Sequence, residues 1–114
     1  MIRLLFYVSV AFISAHELDA IRQHEWRAFP IMRSLGDAAG YHLFVLLHVP
    51  LWIAIFWLID TPAFQIGFDI FLVLHAAAHH LLRRHPLLTF DGALSHLLVY
   101  GAAAFGALHL FLAT

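Results

Sequence analysis

Ten histidines and no cysteine among 114 residues narrow the chemistry this chain can do. Without thiols there is no disulfide, thiolate metal site, iron–sulfur cluster or c-type haem attachment, so a metal must be held by imidazole nitrogen and carboxylate oxygen. The candidate ligands are His16, Asp19, His42, His48, His75, His79, His80 and His96. Mixed N and O donors suit one or two ions of iron, zinc or manganese. Two imidazoles on facing helices are also the axial set of a b-type haem, for example His42 with His96.

Helical spacing sorts these residues, because side chains three or four positions apart share a face. His16 with Asp19 qualifies, and so does His75 with His79. His80 is rotated roughly 100° from His79 onto the stripe of Asp69, Val73 and Ala76, where it supports a ligand or belongs to a second set. His42 and His48 differ by roughly 120° and cannot both aim at one centre without distortion. Pro50 frees the carbonyl of Leu46 and predicts a kink beside His48. His109 lies opposite His96 on its helix and reads as an interhelix hydrogen bond, while His24 and His85 read as interfacial. Asp69 is open to three roles: orienting a ligand, carrying a proton, or pairing with Arg3.

The elements that must position these residues are membrane spans. Hydrophobic residues make up 63% of the chain and charged ones 11%, too few to cover a soluble domain of this size. Residues 38–59 and 92–114 carry no Asp, Glu, Lys or Arg, and runs of 22 and 23 residues can cross the hydrocarbon core. A third run, Ala63 to Leu82, tolerates Asp69 inside a bundle; Thr61 and Pro62 start it and Pro86 follows its end. The first, Leu4 to Ala15, crosses only if its helix continues through His16, Glu17 and Asp19 with those side chains turned inward. Arg3 before an apolar stretch also fits a secretory signal peptide, but no small-x-small triplet follows, and a span is the reading taken. Between the first two spans Arg22 to Asp37 is polar, with Glu25-Trp26-Arg27 as an interfacial patch and Asp37 as a cap; Asp91 caps the last span. Small residues from Gly101 to Ala107 allow close helix packing. The fold expected is an all-α, integral membrane four-helix up-down bundle, one domain over 1–114, with spans near 2–22, 38–59, 63–84 and 91–113.

Alternating helix direction then gathers the histidines at one face. At a rise of 1.5 Å per residue, Asp19, His16, His42, His79 and His96 lie roughly 5 to 9 Å from the nearest helix end, and His48 and His75 roughly 15 Å. Arginines 22, 27, 33, 83 and 84 border that face and only Arg3 the other, which places the histidines on the cytoplasmic side and both termini outside. A bacterial-type inner membrane is the expected location. A net charge of −1 gives no footprint for nucleic acid.

Two resemblances attach to these motifs. His75-Ala-Ala-Ala-His79-His80 resembles the histidine boxes of membrane fatty acid desaturases and hydroxylases, much longer enzymes with several boxes and non-haem iron pairs at the cytoplasmic face; the likeness covers six residues and is chemical analogy. His16-Glu17-Leu18-Asp19, followed by Glu25-Trp26-Arg27, resembles the small bacterial HXXEE membrane proteins, which have no settled function. Here the second acid of that motif is Ala20.

Three functional expectations follow. The first is a membrane metalloprotein with a His/carboxylate site near the cytoplasmic face; if it is an enzyme, it is an oxidoreductase acting on a lipid-soluble substrate. The second is a b-type haem electron-transfer subunit, and the third a non-enzymatic accessory or ion-handling bundle. The small-residue face of the last span would serve a second copy or a larger complex.

Overall fold

Four apolar stretches form the long helices α1 (Ile2–Arg22), α3 (Asp37–Leu58), α4 (Pro62–Leu82) and α5 (Ala93–Ala113), each long and apolar enough to cross a membrane. A 3₁₀ turn at Glu25–Ala28 and the short helix α2 (Pro30–Ser34) occupy the connection between α1 and α3. These elements come from a computed structural model that describes residues 1–88 and 92–114. The described chain has no strand, and the all-α membrane bundle expected from composition is the architecture found.

α1, α4 and α5 pack most closely, with α5 between the other two. Each buries one stripe at three- and four-residue spacing: Phe6, Ser9, Val10, Ile13, His16 and Ala20 on α1, Gln65, Asp69, Leu72 and Ala76 on α4, and Ser95, Val99, Ala102, Gly106 and His109 on α5. The α5 stripe is polar at its two ends, Ser95 and His109, and apolar in the middle. Ile13, Leu72 and Ala102 meet there in one cluster, with Phe12 and Phe68 against it. The small residues of α5 serve this packing. A β-carbon on Gly101 would stand 2.5 Å from the Phe12 ring. Ala102 is fully buried at the centre of the apolar layer, and in a membrane such close approach is what holds helices together. Ala102→Leu is therefore expected to destabilise the bundle by about 1–3 kcal/mol through overpacking. Thermal unfolding in detergent checks this, and an unchanged midpoint would show that this layer is not tightly packed.

α3 stands apart. It joins the bundle near its two ends, through Phe44, which packs with Ala20 and Trp26, and through Ile55, which packs with Phe6 and Val10. Its helix runs unbroken through Pro50. The cap expected at Asp37 is corrected: Gly36, at φ 84°, is the N-cap, and Asp37 is the first helical residue. Its carboxylate accepts hydrogen bonds from Arg27 at 2.8 and 2.6 Å and from the Trp26 indole at 3.2 Å. Thr61 occupies the N-cap position of α4 without a side-chain capping bond, and Pro62 lies in its first turn. The cap expected at Asp91 lies outside the described residues.

Candidate metal centre

The chain leaves α1 by a sharp reversal. His24 adopts the left-handed conformation (φ 56°), rare for a residue with a side chain, and turns the backbone so that the next two residues fold back under the bundle. Trp26, 5% exposed, fills the space between Ala20 and Phe44 and is tied to Asp37 by its indole N–H. The same fold carries Glu25 inward, where it is buried. What reads in the sequence as an interfacial patch thus delivers a carboxylate to the histidines.

Three imidazoles meet it. His16 comes from the buried stripe of α1, His79 continues the stripe of α4 beyond Ala76, and His75 lies one turn earlier at the edge of that stripe. Their ring centroids form a triangle with sides of 5.0, 4.9 and 4.6 Å. Glu25 sits against all three: Oε2 is 3.4 Å from His16 Nε2, and Oε1 is 3.5 Å from His79 Nε2 and 3.9 Å from His75 Nε2. One donor atom from each of the four lies within 4.8 Å of the others. A tetrahedral ion with bonds of about 2.0–2.1 Å needs donors about 3.3 Å apart, so contraction by fractions of an ångström to about 1.5 Å closes the set.

The imidazoles hold Glu25 ionised. Burial pushes the Glu25 carboxyl up, but His16, His75 and His79 around it outweigh burial and hold it well below the usual carboxylate range. Glu25 Oε2 and His75 Nδ1 are buried without a hydrogen-bond partner among the described residues. Each such atom costs about 1–3 kcal/mol, a cost removed if the group ligates an ion or pairs with a bound molecule.

Of the residues singled out by spacing, His16, His75 and His79 are brought together and the others go elsewhere. Asp19 shares the depth of His16 but accepts hydrogen bonds from Ser95 and Gln23. His48 lies 2.8 Å from Glu17 Oε2 and 2.7 Å from the Phe44 carbonyl. His80 is exposed and reaches the Tyr100 hydroxyl at 3.2 Å, while His96 stacks on the Tyr100 ring at 5.7 Å. His42 is exposed on α3 beside Tyr41. Glu25 is the member of the cluster that spacing did not supply.

Two clefts reach the cluster. A cleft of about 320 Å³ runs between α3 and α4, lined by Leu47, His48, Leu51, Phe71 and Phe29 and ending at Glu25 and His75. A second hollow of about 200 Å³, walled by Phe29, Ala78, Leu82 and Leu88, reaches Glu25, His75 and His79 from another side. Both walls are mostly apolar.

Fold and site together define a small multi-pass helical membrane protein with a candidate His₃Glu cluster at one end. The chain belongs to a family of unknown function, DUF6713, whose pattern matches residues 2–114. No curated protein and no solved structure matches it.

Proposed function

We propose that this protein is a membrane metalloprotein that holds one ion of iron, zinc or manganese through His16, Glu25, His75 and His79, and that it is an oxidoreductase acting on a lipid-soluble substrate. The observation that carries the reading is the convergence of three imidazoles on one buried carboxylate at one end of the bundle. Intramembrane ionisable groups are expensive, and four at one point need a cation or a functional reason. Three nitrogens and one oxygen are borderline donors that suit these ions. When bound, such an ion supplies a Lewis acid and, if it is iron or manganese, a one-electron couple.

The protein's own residues do the rest. His16 and His79 anchor the site on two different helices, so the ion also ties α1 to α4. The clefts admit an apolar molecule laterally, and their aromatic and aliphatic walls exclude water from the approach to Glu25 and His75. The arginines beside the histidine end support a cytoplasmic orientation for the site, with both termini outside. The likeness of His75, His79 and His80 to the histidine boxes of membrane desaturases agrees in chemistry, with His80 turned away toward Tyr100. A haem fits this arrangement less well, because three rings packed edge to face at 4.6 to 5.0 Å leave no flat slot between them.

Elemental analysis of protein purified from membranes in mild detergent is expected to give about one iron, zinc or manganese per chain, removable by chelator and restored on adding the ion. If none copurifies and none of the three rebinds to the folded protein, the metal reading fails and the cluster is a brace between helices.

A further inference from the structure

The other half of the bundle holds a second buried ionisable pair. Asp69 of α4 and His109 of α5 are 0% and 2% exposed, and Asp69 Oδ2 lies 2.5 Å from His109 Nδ1. The second carboxylate oxygen, Oδ1, is buried without a hydrogen-bond partner among the described residues. Asp69 is the eighth residue of α4, about 10 Å from its start, and His109 is four residues from the end of α5, about 6 Å. Both ends point away from the His16 cluster, and the apolar layer of Ile13, Leu72 and Ala102 lies between the two sites.

The pair is enclosed by side chains of α1 and by the backbone of α5. Phe6 of α1 covers the His109 ring at 5.3 Å between centroids, and the Ser9 hydroxyl is occupied by the Phe6 carbonyl. Gly106 lets the α5 backbone close over the carboxylate: a β-carbon there would stand 3.2 Å from Oδ1 and 3.1 Å from Leu72. Gln65 donates to the Ile59 carbonyl instead of to Asp69. The charged and titratable groups of this half are the amino terminus, Arg3 and Tyr7 on α1, Asp60 before α4 and the terminal carboxylate after α5, all on exposed residues. Tyr7 and Asp60 are bonded to each other at 2.8 Å. α3 brings no charged residue to this half.

Charge decides what such a pair binds. An ionised carboxylate beside a neutral imidazole carries a net −1 in apolar surroundings, with no cationic side chain against it; an ionised Asp near the centre of a span costs about 2.5–3.5 kcal/mol. Adding one proton brings the pair to neutrality, as carboxylate with imidazolium or as carboxylic acid with imidazole. We propose that Asp69 and His109 form a proton-binding site, separate from the candidate metal centre, that holds one exchangeable proton in the half of the bundle opposite the histidine cluster.

The test uses the full chain in lipid nanodiscs at about pH 7. Ring ¹⁵N spectra, with His109 assigned by its loss in His109→Gln, report its protonation, and infrared difference spectra of ¹³C-aspartate protein report the Asp69 carboxyl. The expected result is either two protonated nitrogens on His109 or a protonated Asp69 band, exchanging in D₂O. Asp69→Asn is expected to remove the carboxyl band. A neutral His109 beside an ionised Asp69, or a proton that does not exchange, overturns the proposal and leaves the pair a fixed brace. If Asp69→Asn does not fold, His109→Gln assigns the ring signal and, by the band it shifts, the Asp69 carboxyl, and neither readout depends on metal at the other site.

Discussion

Replacing His75 and His79 together by alanine is expected to strip the protein of its metal and to weaken binding of added zinc at least about a hundredfold, about tenfold for each donor removed. The double substitution deletes everything α4 contributes to the cluster and leaves His16 and Glu25, which cannot close a shell alone. An ion in the proposed site would tie α1 to α4, so thermal stability measured with zinc at a hundredfold excess over its Kd should also lose the roughly 2.7 kcal/mol that binding adds to the folded wild type. His42→Ala, His48→Ala and His80→Ala serve as controls. Their rings lie outside the cluster, and each variant should retain wild-type metal content. Metal retained by the double variant but lost from His42→Ala or His48→Ala would move the site to α3.

The second large effect arises at a residue that touches no ligand. A β-carbon on Gly40 would lie 2.5 Å from the Met32 carbonyl oxygen and 3.2 Å from the Trp26 ring. The nearest obstacle is backbone, which cannot rotate away, so Gly40→Ala must push α2 and the 3₁₀ turn off α3. The expected cost is about 1–3 kcal/mol, as for other overpacked contacts, and the displaced turn carries Glu25 with it. Zinc affinity should therefore fall about tenfold or more although no donor is changed. Calorimetric titration with zinc, alongside thermal unfolding, measures both. Wild-type affinity in a destabilised Gly40→Ala protein would detach Glu25 from the metal, and wild-type stability would show that the α2–α3 contact is loose.

Why some of this was visible in the sequence follows from what each signal measures. Long uncharged runs give spans directly, because only a helix satisfies its backbone in lipid, and so the all-helical bundle was legible. His75 and His79 were legible as a pair from their four-residue spacing, and His16 from its depth. Depth, however, says nothing about lateral position. His42 and His48 share a level with the cluster, but His42 is exposed on α3 and His48 is taken up by Glu17 of α1, so equal depth did not bring them to the same point. Asp19 was placed at the right height, and its carboxylate is taken up by Ser95 across the α1–α5 contact.

Glu25 was hidden for a different reason. Its approach depends on a left-handed backbone at His24 and on Trp26 filling the space under α1, and neither has a periodic signature. A buried Trp in a polar linker, followed by an Arg that can reach an Asp at the next helix start, was the available clue. The partner of Asp69 was equally hard to read. Three roles were open to it, and contact with His109 follows from the close packing of α4 on α5 at Gly106.

The position of the cluster has an electrical consequence. His16 lies six residues before the end of α1, His79 three before the end of α4, and Glu25 is on the connection itself. His75, the deepest donor, lies seven residues, about 10 Å, before the end of α4, so a cation reaching the proposed site from the adjacent aqueous phase would cross the outer part of the low-dielectric slab. Of the roughly 2.3 kcal/mol that one elementary charge exchanges with each 100 mV across the whole membrane, only a part would act on it. Loading and loss of such an ion would then answer mainly to its concentration on that side and less to membrane voltage.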